Sequence, residues 1–124
     1  MSTPEQSVRT VLCIGNEPVH LNLRCSFLKE HGWNVLSSGS GREGLLRFST
    51  QAVDSVILDL DDAGVEGALV AGELKRIRPS VHIVMLVTNR KALVDGALDS
   101  ADTVLLRSDE SVRLLDALRP LPQS

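Results

Sequence analysis

The chain has 124 residues, of which 43% are apolar and 23% charged, the make-up of an ordinary globular domain long enough to bury a core. Its 13 Lys and Arg stand against 16 Asp and Glu, and no basic run occurs, which argues against nucleic acid and anionic membranes as partners. The opening MSTPEQS lacks the charged and apolar regions of a signal peptide, and no apolar run reaches membrane-spanning length, so a cytoplasmic protein is expected.

TVLCI, residues 10–14, reads as a first strand, apolar on both faces. Pro18 suits the opening of a helix over Val19 to His31, with Leu23, Phe27 and Leu28 on its inner face and Gly32 as its cap. NVLSS, 34–38, is a second strand and Arg42 to Thr50 a second helix. SVILDL, 55–60, leads to a helix over Gly67 to Arg78, turned inward at Leu74 and Ile77 and stopped by Pro79. HIVMLV, 82–87, a helical segment from Lys91 to Asp99, and TVLL, 103–106, follow. The last helix, Glu110 to Leu118, places Val112, Leu115 and Leu118 inward, and RPLPQS, 119–124, reads as a tail. Five βα units in one domain over about 9–118 predict a parallel sheet with helices on both faces. Ligands of such sheets bind beyond the carboxyl ends of the strands.

The third strand runs into Asp59, with Asp61 and Asp62 just beyond. Two charges about 6 to 7 Å apart repel by roughly 2 to 3 kcal/mol at an effective dielectric of 20, so water, a cation or a base must offset them. A solvated turn is one reading, and an acidic site for a metal or phosphoryl group is the other. Residues 39–44, GSGREG, match G-x-G-x-x-G, and Asp59 lies 20 residues after Gly39, formally a dinucleotide fingerprint. The motif follows the second strand, however, and its helix is short, which favours coincidence. Cys13, in a strand, and Cys25, in a helix, are expected as two buried thiols. His20, His31 and His82 have no ligand spacing and read as surface or helix-end residues.

The order of elements resembles the receiver domain of two-component response regulators, and so do NEP at 16–18, GWNV at 32–35, GREGL at 41–45, LDL at 58–60 and the turn from Gly64 to Gly67. The resemblance covers nearly the whole chain. It implies an α/β, flavodoxin-like (βα)5 three-layer sandwich with strand order 2-1-3-4-5, and it puts Asp59 where a receiver accepts a phosphoryl group from a histidine kinase. It also puts Gly15 and Asn16 where two acids usually help hold Mg²⁺, Thr88 at the phosphoryl-binding hydroxyl and Arg107 at the usual Lys. Gly15 has no ligand atom and Asn16 only a neutral carbonyl, so any Mg²⁺ site would rest on Asp59, Asn16 and Asp61 and be weak. Glu17 suits a helix dipole. A guanidinium does not reproduce a compact ammonium. Ser108 replaces the Pro that favours a cis turn there.

The resemblance further places Val104 where a rotating aromatic normally reports phosphorylation. It makes the stretch from Thr88 to Arg107 short, with Ser100 where a Gly cap is favoured. The chain is therefore read as a stand-alone pseudo-receiver and not as an enzyme: a signalling module whose partners are a histidine kinase or other signalling protein, and which could pair with a second copy through the 90–118 face. Two alternatives stay open: a divergent receiver still phosphorylated at Asp59, with Asp61 and Arg90 paired across the entrance, and a small nucleotide-binding protein using the 39–44 loop.

Overall fold

The computed structural model describes residues 8–59, 65–88 and 100–118. Its elements are β1 (Thr10–Ile14), α1 (Pro18–Glu30), β2 (Asn34–Ser38), α2 (Gly41–Thr50), β3 (Ser55–Asp59), α3 (Val65–Ile77), β4 (His82–Val87), β5 (Thr103–Leu106), a 3₁₀ turn (Arg107–Asp109) and α4 (Glu110–Leu118). The expected helical segment from Lys91 to Asp99 lies outside the described residues, as do Asp61, Asp62, Arg90 and the tail.

All strand pairs are parallel, in the order β2-β1-β3-β4-β5, as the resemblance implied. The three central strands are buried almost end to end, because helices cover both faces of the sheet. Side chains alternate across a strand, and that alternation divides the core in two. Leu12, Ile14, Val56, Leu58, Ile83 and Met85 pack with Phe48 of α2 and with Val70, Ala71 and Leu74 of α3. Val11, Cys13, Ile57, Val84 and Leu86 pack with Cys25 and Leu28 of α1 and with Leu114 and Leu118 of α4. The result is three layers, with α1 and α4 sharing one face.

Helix ends are fixed locally. Pro18 opens α1, and the Glu17 carboxylate caps it by accepting from the His20 amide at 3.1 Å. At its far end Gly32 adopts φ +91°, while the Trp33 and Gly32 amides donate to the Leu28 and Lys29 carbonyls, each at 3.1 Å. That pair of bonds is the Schellman arrangement, which favours glycine at this position.

Three expected inner-face residues lie outside the core. Leu23, Ile77 and Val112 are 66%, 41% and 78% exposed. The inward stripe of α1 is Leu21, Arg24, Cys25 and Leu28, and Leu23 stands about 140° from Leu28 around a 3.6-residue helix. Val112 is about 200° from the buried Leu114, on the opposite face of α4. Ile77 lies about 60° from Leu74, at the edge of the buried stripe.

Candidate functional site

Asp59 ends β3 on the same side of the sheet as Ile57, so its side chain points into the α1 and α4 layer at the carboxyl edge. It is fully buried. A carboxylate there must be paired, and the described residues bring two guanidinium groups to it. Arg107, in the turn after β5, donates from Nε at 3.0 Å and from Nη2 at 2.5 Å to one oxygen of Asp59, Oδ2. Arg24, in the middle of α1, donates from Nη2 to the same oxygen at 3.4 Å.

Arg24 also ties α4 to the site. Its Nε donates to Glu110 Oε2 and its Nη2 to Glu110 Oε1 at 3.1 Å, a two-pronged pair. The residue is only 4% exposed. Burial alone would lower the pKa of its guanidinium, but the hydrogen bond and charge of Glu110, with the charge of Asp59, raise it, so Arg24 stays cationic. Its Nη1 is enclosed without a hydrogen-bond partner. Among the described residues, two guanidinium groups thus meet two carboxylates in this cluster.

His20 joins at the rim. Arg107 Nη2 lies 3.1 Å from His20 Nδ1, and because an arginine can only donate, that ring nitrogen is the acceptor. Beside the cluster, a groove of about 260 Å³ runs between α1 and α4, with Leu23, Phe27 and Leu114 along it and Arg24, Arg107 and Glu110 at its polar end. Leu23 is exposed because it lines this groove.

Of the residues singled out from sequence, Asp59 and Arg107 are in contact, Asn16 follows β1 at the same edge of the sheet, and Thr88 lies just beyond β4, exposed. Gly15 is buried, and its amide extends the ladder to the Ser38 carbonyl at 3.1 Å. Val104 is a half-exposed valine on β5. Arg24 and Glu110 are members that sequence reasoning missed. The described side chains do not fit Mg²⁺: Gly15 offers no ligand, Asn16 no charge, and Asp59 Oδ2 already takes bonds from two guanidiniums. No group of three His, Cys, Asp or Glu that could hold a metal occurs among the described residues. No cis peptide occurs among them either.

The glycine motif serves structure. Ser40 caps α2 by accepting from the Glu43 amide at 3.1 Å, and the Glu43 carboxylate accepts from the Gly39 amide at 3.1 Å, a close relative of the capping box. Among the described residues, no helix is long and apolar enough to cross a membrane.

A parallel five-stranded sheet in the order β2-β1-β3-β4-β5 is an architecture shared with signalling proteins of known structure. No protein-family model matches the chain. The response regulator TrrA of Thermotoga maritima, solved with Mg²⁺ and BeF, is 26% identical, with a TM-score of 0.79 over 90% of this chain and all of that one. TrrA in complex with the histidine kinase ThkA is 27% identical, with a TM-score of 0.77 over 91% of this chain and all of that one. The transcriptional regulatory protein TcrA of Mycobacterium tuberculosis is 31% identical over 121 residues, 91% of this chain but 48% of TcrA. ZraR of Escherichia coli is 27% identical over 95 residues, 72% of this chain and 22% of ZraR. The chain thus spans half or less of the length of these two regulators. It belongs to the response-regulator receiver domains of CheY-like fold, which are signalling modules of two-component systems.

Proposed function

We propose that this is an atypical receiver, of the pseudo-receiver type, in which Mg²⁺-dependent phosphorylation of Asp59 is impaired and signalling runs through protein contacts. The observation that carries this reading is the capture of Asp59 Oδ2 by Arg107 and Arg24, at an edge of the sheet where Gly15 and Asn16 stand in place of metal-binding acids. A metal would have to displace charge-assisted hydrogen bonds and then bind with few charged ligands. The proposed partners are proteins of the same signalling class, a histidine kinase or another regulator, in the cytoplasm, with neither nucleic acid nor membrane engaged.

A second copy is a further partner, through the face spanning 90–118. Exposed apolar residues on that face, Val104 and Val112, support it. Val112→Glu should leave thermal stability unchanged and weaken self-association in sedimentation; unaltered association would remove α4 from the contact.

The primary test is intact mass after incubation with a small acyl phosphate and Mg²⁺, beside Asp59→Ala. The pseudo-receiver reading expects no gain in a folded sample. The second reading, a divergent receiver phosphorylated at Asp59, is favoured by Thr88, an exposed hydroxyl just beyond β4 at the same edge of the sheet. Gain of one phosphoryl group, lost in Asp59→Ala, would establish it.

A further inference from the structure

Arg24 occupies a position that the fold reserves for an apolar side chain. It lies in the inward stripe of α1 with Leu21, Cys25 and Leu28, against the sheet. A buried arginine is tolerated only where its charge is matched, and here the match comes from two elements far apart in sequence. Glu110, 86 residues away, takes two of its donors, and Asp59, 35 residues away, takes one of those donors through a longer bond. One guanidinium is therefore shared between the end of β3 and the first residue of α4.

We propose that Arg24 is a positioning residue that serves as a resident counter-ion, joining Asp59 to α4 through Glu110, so that a change of charge at Asp59 reaches the last helix without a divalent cation. The inference rests on the pseudo-receiver reading only in that the coupling it describes needs no Mg²⁺. The position expected to hold a rotating aromatic carries Val104, so that route is closed. The Arg24 route needs only a shift of the shared guanidinium between its two carboxylates. If Asp59 loses its charge, the guanidinium is left to Glu110 alone and the start of α4 is held more firmly. If Asp59 gains negative charge, the guanidinium is drawn toward β3 and Glu110 is released. The other end of α4 has its own anchors, Leu118 in the core and the Ala117 carbonyl, which lies 2.8 Å from His82 Nε2. The first turn of the helix is thus the part that Arg24 governs.

Amide hydrogen exchange of α4 tests this with no phosphodonor present, so its outcome does not depend on whether Asp59 accepts phosphate. Asp59→Asn should slow exchange at the Leu114 and Leu115 amides, which close the first turn onto the carbonyls of Glu110 and Ser111, by about threefold or more, the size of coupling expected between contacting charged residues. In an Arg24→Met background the same Asn substitution should leave those amides unchanged. Should Arg24→Met fail to fold, Glu110→Ala removes both acceptors at the partly buried end of the link and should abolish the effect equally. An equal response to Asp59→Asn with and without the link, or no response in the parent protein, would overturn the proposal. Adding millimolar Mg²⁺ should leave the parent profile as it is in chelator. Protection of the β3 end by Mg²⁺ would overturn the resident counter-ion.

Discussion

Gly44 lies so close to Ile14 that a Cβ built on it would stand 2.5 Å from Ile14 Cδ1 and 2.8 Å from Cγ1. Both residues are buried, so α2 is pressed onto β1 at this point. Replacing a helical glycine by alanine ordinarily stabilises by about 1 kcal/mol. Overpacking here opposes that gain by about 1 to 3 kcal/mol. Gly44→Ala is therefore expected to lower stability by about 1 kcal/mol in urea unfolding, and Ile14→Val, which removes Cδ1 but keeps the Cγ1 that would stand 2.8 Å away, should recover only part of the loss. A stabilised Gly44→Ala would mean that Ile14 yields freely. Addition of a dinucleotide should leave the unfolding midpoint unchanged, because this glycine serves packing; a rise would revive the nucleotide reading.

Lys75 fastens α3 to the end of the sheet. Its Nζ donates to the Val81 carbonyl at 2.6 Å and to Asp102 Oδ2 at 2.7 Å, and the same carboxylate oxygen accepts from the Ile83 amide at 2.8 Å. Burial would raise the pKa of Asp102, but the bonds from Lys75 and Ile83 and the charge of Lys75 bring it below its ordinary 3.8. A carboxylate with a depressed folded pKa adds stability that is complete above the unfolded value and is lost as pH falls through the folded one. Asp102→Asn should therefore cost stability at pH 7 and progressively less below about pH 4. The side chain is 37% exposed, so solvent screening keeps the difference near 1 kcal/mol or less. A difference between parent and variant that stays constant from pH 7 to pH 3 would show that the ion pair contributes nothing.

The central strands were legible because a doubly covered parallel strand is an unbroken apolar run: TVLCI and HIVMLV coincide with β1 and β4. Helix phase was harder to read. In α1 the leucines at 21, 23 and 28 and Phe27 allow more than one stripe, and Leu23 was placed inward when it lines a groove. Val112 was misplaced for the same reason, since Leu114, Leu115 and Leu118 already define a face without it.

At the site, the placement of Asp59 and Arg107 could be read because one ends a strand and the other follows one at the carboxyl edge, and parallel topology brings such ends together. Arg24 could not. An arginine in a helix reads as solvated, and its partners come from residues 59 and 110, which no local spacing connects. The available signal was its phase: counted from Leu28 at 3.6 residues per turn, residue 24 falls in the buried stripe, where a charge demands a partner. The glycine motif reads as a coincidence from its place after the second strand, and its residues are occupied by a cap and a close packing contact.

Cys13 and Cys25 are both free and buried, as expected for structural thiols, but their side chains hydrogen-bond to each other across the contact between β1 and α1. The bond divides their acidity. The Cys13 S–H stabilises a thiolate at Cys25 and, against the opposing effect of burial and with help from the charges of Lys29 and Arg24, lowers the Cys25 pKa to about 7. Cys13 moves the other way, raised by the bond to Cys25 and by complete burial. Thiolates are the reactive form, and Cys25 has the greater exposure, at 9% against none for Cys13. Iodoacetamide should therefore label Cys25 first, with a rate that rises through about pH 7, while Cys13 reacts only on unfolding. In Cys13→Ala the midpoint should climb toward the ordinary 9.0, because the donor is gone. Peptide mass mapping across a pH series reads both effects, and an unshifted midpoint in the variant would assign the acidity of Cys25 to Lys29 and Arg24 alone.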